Sequence, residues 1–384
     1  MTIAGAVRLL VLACSLALSL ALGEFALRTL DPFHFRSGWR TRPESYWEKP
    51  PIQATNQLGF RGRPITYKAG DFVVVLTGDS QVECVSCSDG HLPEDALRAA
   101  LQASLPTRNV HVVSLAASGY GQDQELLAVR EYFARGYRAD AVVLWQTLFN
   151  DIWNVIFPQH SPHVGMGHLK PTFFLEGDRL REPSGGIGEP YCGLYLSCVA
   201  QQLLGGGFET RFVRKLPPAI EGLKEPADKL LPVFDSDEDM ANEKTHFGVW
   251  LVPDSPRKKY GVALLARLQR ELARTAATHG ARFFVFDVDR FSAQDRAEVA
   301  NFPFVTPGPK YVRSLGLYYL VGDHGVYERV REEANKGLTA LYVPVTVPDH
   351  VVSSDDPHLN ERGNAQVMEG LARRLTRELG APGP

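Results

Sequence analysis

The sequence predicts a doubly wound, three-layer α/β/α fold around a five-stranded parallel sheet, and three observations predict it. Five short apolar runs, Phe72–Thr77, Val110–Leu115, Ala141–Trp145, Arg282–Val288 and Leu341–Val345, are continuous rather than alternating, as strands covered on both faces are. Between them lie segments whose apolar residues recur at helical spacing. The resulting order, β-α-β-α-β, a long excursion, then α-β-α-β-α, is that of helices packed on both faces of one parallel sheet.

At the amino terminus, Arg8 precedes the apolar run Leu9–Leu22, the length of a signal h-region and, counted from Thr2, close to a bilayer span. Ala21-Leu22-Gly23 offers a small-residue cleavage site, whereas Glu24–Arg28 continues an amphipathic helix. A cleaved signal peptide and a retained membrane anchor therefore both fit residues 1–28, and either places the body of the chain outside the cytoplasm. Val11–Cys14 makes a poor lipoprotein box, because the apolar run continues past Cys14.

The first strand ends at Gly78-Asp79-Ser80. Pro93 opens a helix with Leu97, Leu101 and Leu105 on one face, and Leu126, Val129 and Phe133 mark a second that closes at Gly136. The third strand leads into Leu148-Phe-Asn150-Asp151. Residues 153–256 then break the rhythm: they are rich in proline and glycine, include Gly205-Gly-Gly207, and show only short periodic pieces at Thr172–Leu175 and Leu194–Leu204. A structureless loop of that length is improbable in a compact domain. The stretch reads as an inserted cap overhanging the site, leaving 29–152 and 257–384 as the main domain. Tyr260–His279, before Gly280, is the longest helix of that domain. Asp323 is the expected N-cap of a helix over Val326–Asn335, and Val367, Leu371, Leu375 and Leu379 define the terminal helix.

Composition narrows the function. A chain of 384 residues with 44% hydrophobic content can bury a full core, and a net charge of -3 argues against nucleic acid. Arg257-Lys258-Lys259 is too short to track phosphates. Apart from Cys14, the cysteines fall as Cys84-x-x-Cys87 and Cys192-x5-Cys198, an even number that suits two local disulfides in an oxidising compartment. A thiol-oxidoreductase reading of Cys84–Cys87 competes with a better nucleophile on the same turn, and the second pair lacks zinc-knuckle spacing. His160, His163 and His168 fit no common metal spacing. The reading calls for no metal and no organic cofactor.

Ser80 sits where a buried strand meets a tight turn, the place at which an open α/β sheet presents ligands and at which following backbone N–H groups can face an oxyanion. Near the far end, Asp355-Asp356-Pro357-His358 supplies a base and its orienter. Asp355, three residues before His358, has the spacing to reach the second ring nitrogen, while Asp356, beside proline, is expected in solvent. Each candidate has a plainer reading: Ser80 as a helix N-cap, Asn150-Asp151 and Asp355-Asp356 as helix caps, and Trp145, Phe149 and Trp153 as packing.

Four blocks in order, Gly78-Asp79-Ser80, Ser114–Gly121, Leu148–Asp151 and Asp355–His358, resemble the SGNH (GDSL-type) hydrolases, in particular their membrane-anchored extracytoplasmic bacterial members. The entry phrase Asn56–Gly62 is similar to that subgroup's as well. The resemblance implies a flavodoxin-like sheet with Ser80 as nucleophile, His358 as base and Asp355 as its orienter. It also implies an oxyanion hole from the Ser80 N–H, the Gly119 N–H and the Asn150 amide. It departs from the pattern at Leu148 and Gln81–Cys84, where relatives often carry glycine. The implied activity is hydrolysis of O-acyl, chiefly O-acetyl, esters on an acylated polysaccharide, peptidoglycan or lipid ester in the cell envelope. O-acyl transfer by the same residues, and a non-catalytic membrane-tethered binding or assembly protein, stay open at this point.

Overall fold

The structure is a computed structural model describing residues 3–30, 55–156, 173–182, 194–203, 231–232, 246–289, 310–314, 317–354 and 356–380. After helix α1 (Ile3–Leu30), the main body begins with β1 (Phe72–Gly78), α2 (Ser80–Glu83), α3 (Pro93–Ser104), β2 (Val110–Ala116), α4 (Gln122–Ala134), β3 (Ala141–Trp145) and α5 (Leu148–Ile156). The next elements are β4 (Phe174–Glu176), β5 (Arg179–Arg181), α6 (Tyr195–Leu203), β6 (Leu231–Pro232) and β7 (Leu251–Val252). They are followed by α7 (Pro256–Thr278), β8 (Arg282–Asp289), β9 (Lys310–Ser314), β10 (Leu317–Val321), α8 (His324–Ala334), β11 (Ala340–Pro344) and α9 (Glu361–Glu378).

The five predicted strands form one parallel sheet in the order β11-β8-β3-β1-β2. Residues alternate between two cores, as a pleated strand requires. Val73 and Val75 of β1 join the layer built by α4, α5, α7 and α8, while Phe72, Val74 and Leu76 join α3 and α9. Strand order reverses between β1 and β3, so their carboxyl ends flank the crevice in which doubly wound sheets bind ligands.

Helix boundaries follow local chemistry. Helix α7 begins four residues before the periodic segment that predicts it, because the Ser255 side chain accepts the Lys258 N–H at 3.0 Å and Pro256 occupies the first turn. Asp323 caps α8 through the Gly325 N–H at 3.0 Å, as expected. A second, four-stranded sheet has the order β6-β9-β10-β7. Its β9–β10 hairpin lies between β8 and α8, where the apolar runs gave no strand. The mixed aromatic and β-branched pattern around Ser314-Leu-Gly316 is the hairpin signal there.

Helix α1 carries a stretch, Ala4–Leu30, of mean hydropathy 2.1 with none of its apolar window buried, long enough to cross a bilayer. Near its end, Arg28 Nε lies 2.7 Å from Glu24 Oε1. The Glu24 carboxylate also accepts the Tyr195 and Leu196 N–H groups at 3.0 and 2.9 Å, so it caps the first turn of α6.

Candidate active site

Gly78 lets the chain leave β1 and enter α2 at once. A Cβ there would stand 2.7 Å from Val82 Cγ2 and 3.1 Å from the Trp145 carbonyl. Asp79 then caps α2, accepting the Gln81 N–H at 3.0 Å. Ser80 is the first helical residue, so its own N–H has no intrahelical acceptor.

Ser80 Oγ lies 2.7 Å from His358 Nε2 across a sequence separation of 278 residues. His358 Nδ1 makes a short hydrogen bond to Asp356 Oδ1, which also accepts the His358 backbone N–H at 3.1 Å. Nδ1 therefore carries the proton and Nε2 faces the hydroxyl as acceptor. The sequence expectation for this place is Asp355, a residue outside those the structure describes; the carboxylate on the imidazole is that of Asp356. An aspartate that hydrogen-bonds the backbone two residues on makes an Asx-turn, and Asp-Pro is a sequence signal for one. The loop is fixed by Asn360, whose Nδ2 donates to Asp349 O and Val351 O at 2.8 and 2.9 Å while Oδ1 caps α9 at the Arg362 and Gly363 N–H groups.

Two further blocks are tied to this turn by carboxylates. Asn150 Nδ2 donates to Asp79 Oδ2 at 3.1 Å, and Thr147 Oγ1 donates to Asp79 Oδ1 at 3.2 Å. Glu83 Oε2 accepts the Ser118 N–H at 2.5 Å, which seats Gly119, at φ +75°, beside α2. The entry phrase contributes as well: Asn56 Nδ2 donates to the Ser114 carbonyl at 2.8 Å. Thr147, Arg61 and Asn364 also support the site and carry no role in the sequence analysis, because each acts through a long-range contact that spacing cannot show.

Behind the serine the electrostatics favour neutral acids. Burial raises the Asp79 carboxyl above its ordinary range, against the pull of its Gln81 and Asn150 hydrogen bonds. Burial, with the Asp79 charge next, pushes Asp151 well up, although its Oδ2 accepts from Gln122 Nε2 and Thr147 N at 3.0 Å each. Glu125, fully buried, is pushed well up by burial first and by Asp151 next. His358 and Asp356, with side chains 38% and 45% exposed, stay open to a substrate. A hydroxyl, an imidazole and a carboxylate in relay form an arrangement that can activate a serine for attack on a carbonyl.

Cys84 and Cys87 are joined in a disulfide immediately after α2. Cys192 and the Cys198 side chain lie outside the described residues, as do His160, His163 and His168.

No protein-family profile matches the chain, and no curated protein matches it. Among solved structures it is similar to an acetyl xylan esterase, Est2A, from the rumen bacterium Butyrivibrio proteoclasticus, at 10% identity over 82% of this chain and 66% of that one, with a TM-score of 0.36. It is similar to a family two carbohydrate esterase from Clostridium thermocellum at 11% identity, over 83% of this chain and 67% of that one, with a TM-score of 0.34. A catalytic mutant of Axe2, an acetylxylan esterase from Geobacillus stearothermophilus, gives 16% identity over 56% of this chain and 77% of that one, with a TM-score of 0.23. The chain thus spans about two thirds of the length of the first two.

Proposed function

We propose that this protein is an extracytoplasmic serine esterase acting on O-acyl, chiefly O-acetyl, esters of a glycan or lipid, with Ser80 as nucleophile and no cofactor. The observation that carries the proposal is the 2.7 Å approach of Ser80 Oγ to His358 Nε2, with Asp356 on the opposite ring nitrogen. In this reading His358 takes the serine proton as Oγ attacks the acyl carbonyl. The Ser80 and Gly119 N–H groups and the Asn150 amide then receive the oxyanion, and the imidazole returns the proton to the leaving alcohol. Water, activated by the same imidazole, releases the acid. The apolar helix α1 and the Cys84–Cys87 disulfide support a place at the cell envelope, with α1 as anchor. In this reading residues 153–256 form a cap on a main domain of 29–152 and 257–384.

The test is hydrolysis of p-nitrophenyl acetate, butyrate and octanoate by the full chain in detergent, with Ser80→Ala and His358→Ala alongside. Release that favours acetate and disappears in both variants, while their melting curves match the parent, supports the reading. Full activity in Ser80→Ala sinks it.

A further inference from the structure

The turn carrying Ser80 and the loop carrying His358 meet through contacts that the relay itself does not supply. A single helical turn such as α2 has little stability of its own. Cys84 ends it in the left-handed region, at φ +42°, where a non-glycine residue needs outside support. Buried Arg61 takes up the open carbonyls: Nη1 lies 3.3 Å from Glu83 O and makes a short contact with Cys84 O, and Nη2 lies 2.7 Å from Cys87 O. The disulfide closes the same loop.

From the other side comes Asn364 of α9, which is 0% exposed. Its Nδ2 donates to the carbonyl of Leu359, the residue after the base, at 3.1 Å, and the same nitrogen lies 3.2 Å from Cys84 Sγ and 3.5 Å from Cys87 Sγ. The Leu359 N–H donates to Gln81 Oε1 at 3.2 Å, and the Ser88 N–H to Glu361 Oε1 at 2.7 Å.

We propose that the Cys84–Cys87 disulfide and Asn364 form a latch that sets His358 in register with Ser80, so that the relay reaches full competence only with the disulfide closed. The proposal rests on the esterase reading and names positioning residues for it. Reduction by dithiothreitol breaks the S–S bond, each sulfur gains a proton, and the reagent supplies two electrons as it closes to its cyclic disulfide. The sulfurs then part to van der Waals distance and become S–H donors. One amide nitrogen can no longer reach both of them and Leu359 O. Cys84 and Cys87 are 3% and 4% exposed and packed with Leu92, so the change is carried to Leu359 and the adjacent base. A misplacement on the order of 1 Å between reacting groups costs about 100-fold in rate.

The experiment uses the full chain in detergent with Cys14→Ser, Cys192→Ser and Cys198→Ser, so that the latch pair alone responds to redox. The protein is assayed oxidised, then reduced with the reagent removed under argon, then reoxidised, with thiols counted by alkylation and mass spectrometry. On p-nitrophenyl acetate, reduction should lower kcat by roughly 10- to 100-fold, move KM by less than about threefold, and be reversed by reoxidation. Asn364→Leu, with the disulfide closed, should show the same kcat-weighted loss. Hydrogen exchange reads the latch without a substrate: reduction should deprotect residues 80–92 and 350–364 together. Unchanged kcat on reduction, or deprotection of the first segment alone, overturns the proposal. An oxidised protein that hydrolyses no ester strikes the esterase reading instead, and the exchange result then decides the latch by itself.

Discussion

Replacing Asp356 by alanine removes the carboxylate from His358 Nδ1 and leaves the serine, the base and the proposed oxyanion donors in place. The hydrogen bond lost is charge-assisted, a class that contributes about 1.5–3 kcal/mol. Both side chains are more than a third exposed, at 38% and 45%, so water screens the pair and the lower end of that range applies. About 1.5 kcal/mol is roughly tenfold in kcat, far short of the ~10⁴-fold seen when a buried triad aspartate is disabled. The assay is kcat/KM for p-nitrophenyl acetate, paired with the rate of fluorophosphonate labelling at Ser80, for Asp356→Ala and Asp355→Ala side by side. Asp356→Ala should lose about tenfold in both readouts, while Asp355→Ala stays within about twofold. A larger loss in Asp355→Ala, or no loss in Asp356→Ala, would show that the orienter has been misassigned and refute the reasoning from the loop geometry.

Other expectations follow from the same contacts. Asn150→Ala, which removes a proposed oxyanion donor, should lower kcat by about 100- to 1,000-fold with little change in KM, measured with the same ester. Glu94 is buried, and burial raises its carboxyl to about 7 although the Arg63 and Ser114 N–H groups donate to it at 2.6 and 3.1 Å. The folded state therefore keeps a proton that the unfolded chain releases above its ordinary value of 4.5, and stability falls as pH rises from there to about 7, by at most on the order of 3 kcal/mol. Glu94→Gln should flatten that decline, read from urea unfolding at both ends of the window. In Gly370→Ala, the added Cβ would stand 2.4 Å from Val343 Cγ1. Overpacking of about 1–3 kcal/mol should outweigh a helix-propensity gain of about 1 kcal/mol, giving net destabilisation in the same urea assay.

All five strands of the central sheet were legible because each is an uninterrupted apolar run, a pattern imposed by burial on both faces. The meeting of Ser80 with His358 was legible for a different reason: a strand-to-turn serine and a histidine ahead of a terminal helix sit at boundaries with strong local chemistry. The choice between Asp355 and Asp356 was not. Spacing counts residues along a chain, whereas the loop doubles back, with the Ser353 and Asp356 backbones hydrogen-bonded to each other at 3.2 and 3.3 Å, and so lays Asp356 on the imidazole. Arg61 and Asn364 were invisible in their own neighbourhoods, since their partners lie 22–28 and up to 280 residues away. The β9–β10 hairpin lacks a continuous apolar run because its strands pair antiparallel in a separate small sheet.

The two halves of the relay belong to parts of the sheet with unequal security. Ser80 follows β1, an interior strand whose residues Val73 to Leu76 are 0% exposed, whereas His358 lies on the connection from β11, an edge strand that pairs with β8 alone in this sheet. Edge elements open at lower free energy than central ones. A fluctuation that frees β11 and its following loop withdraws the base and, through the Leu359–Gln81 and Asn364–Cys84 contacts, loosens the serine turn, while β1 itself stays in the sheet. On gentle warming, catalysis should therefore fade while the spectroscopic signal of the folded chain persists, and it should return on cooling because the rest of the sheet remains as a template for the strand to rejoin.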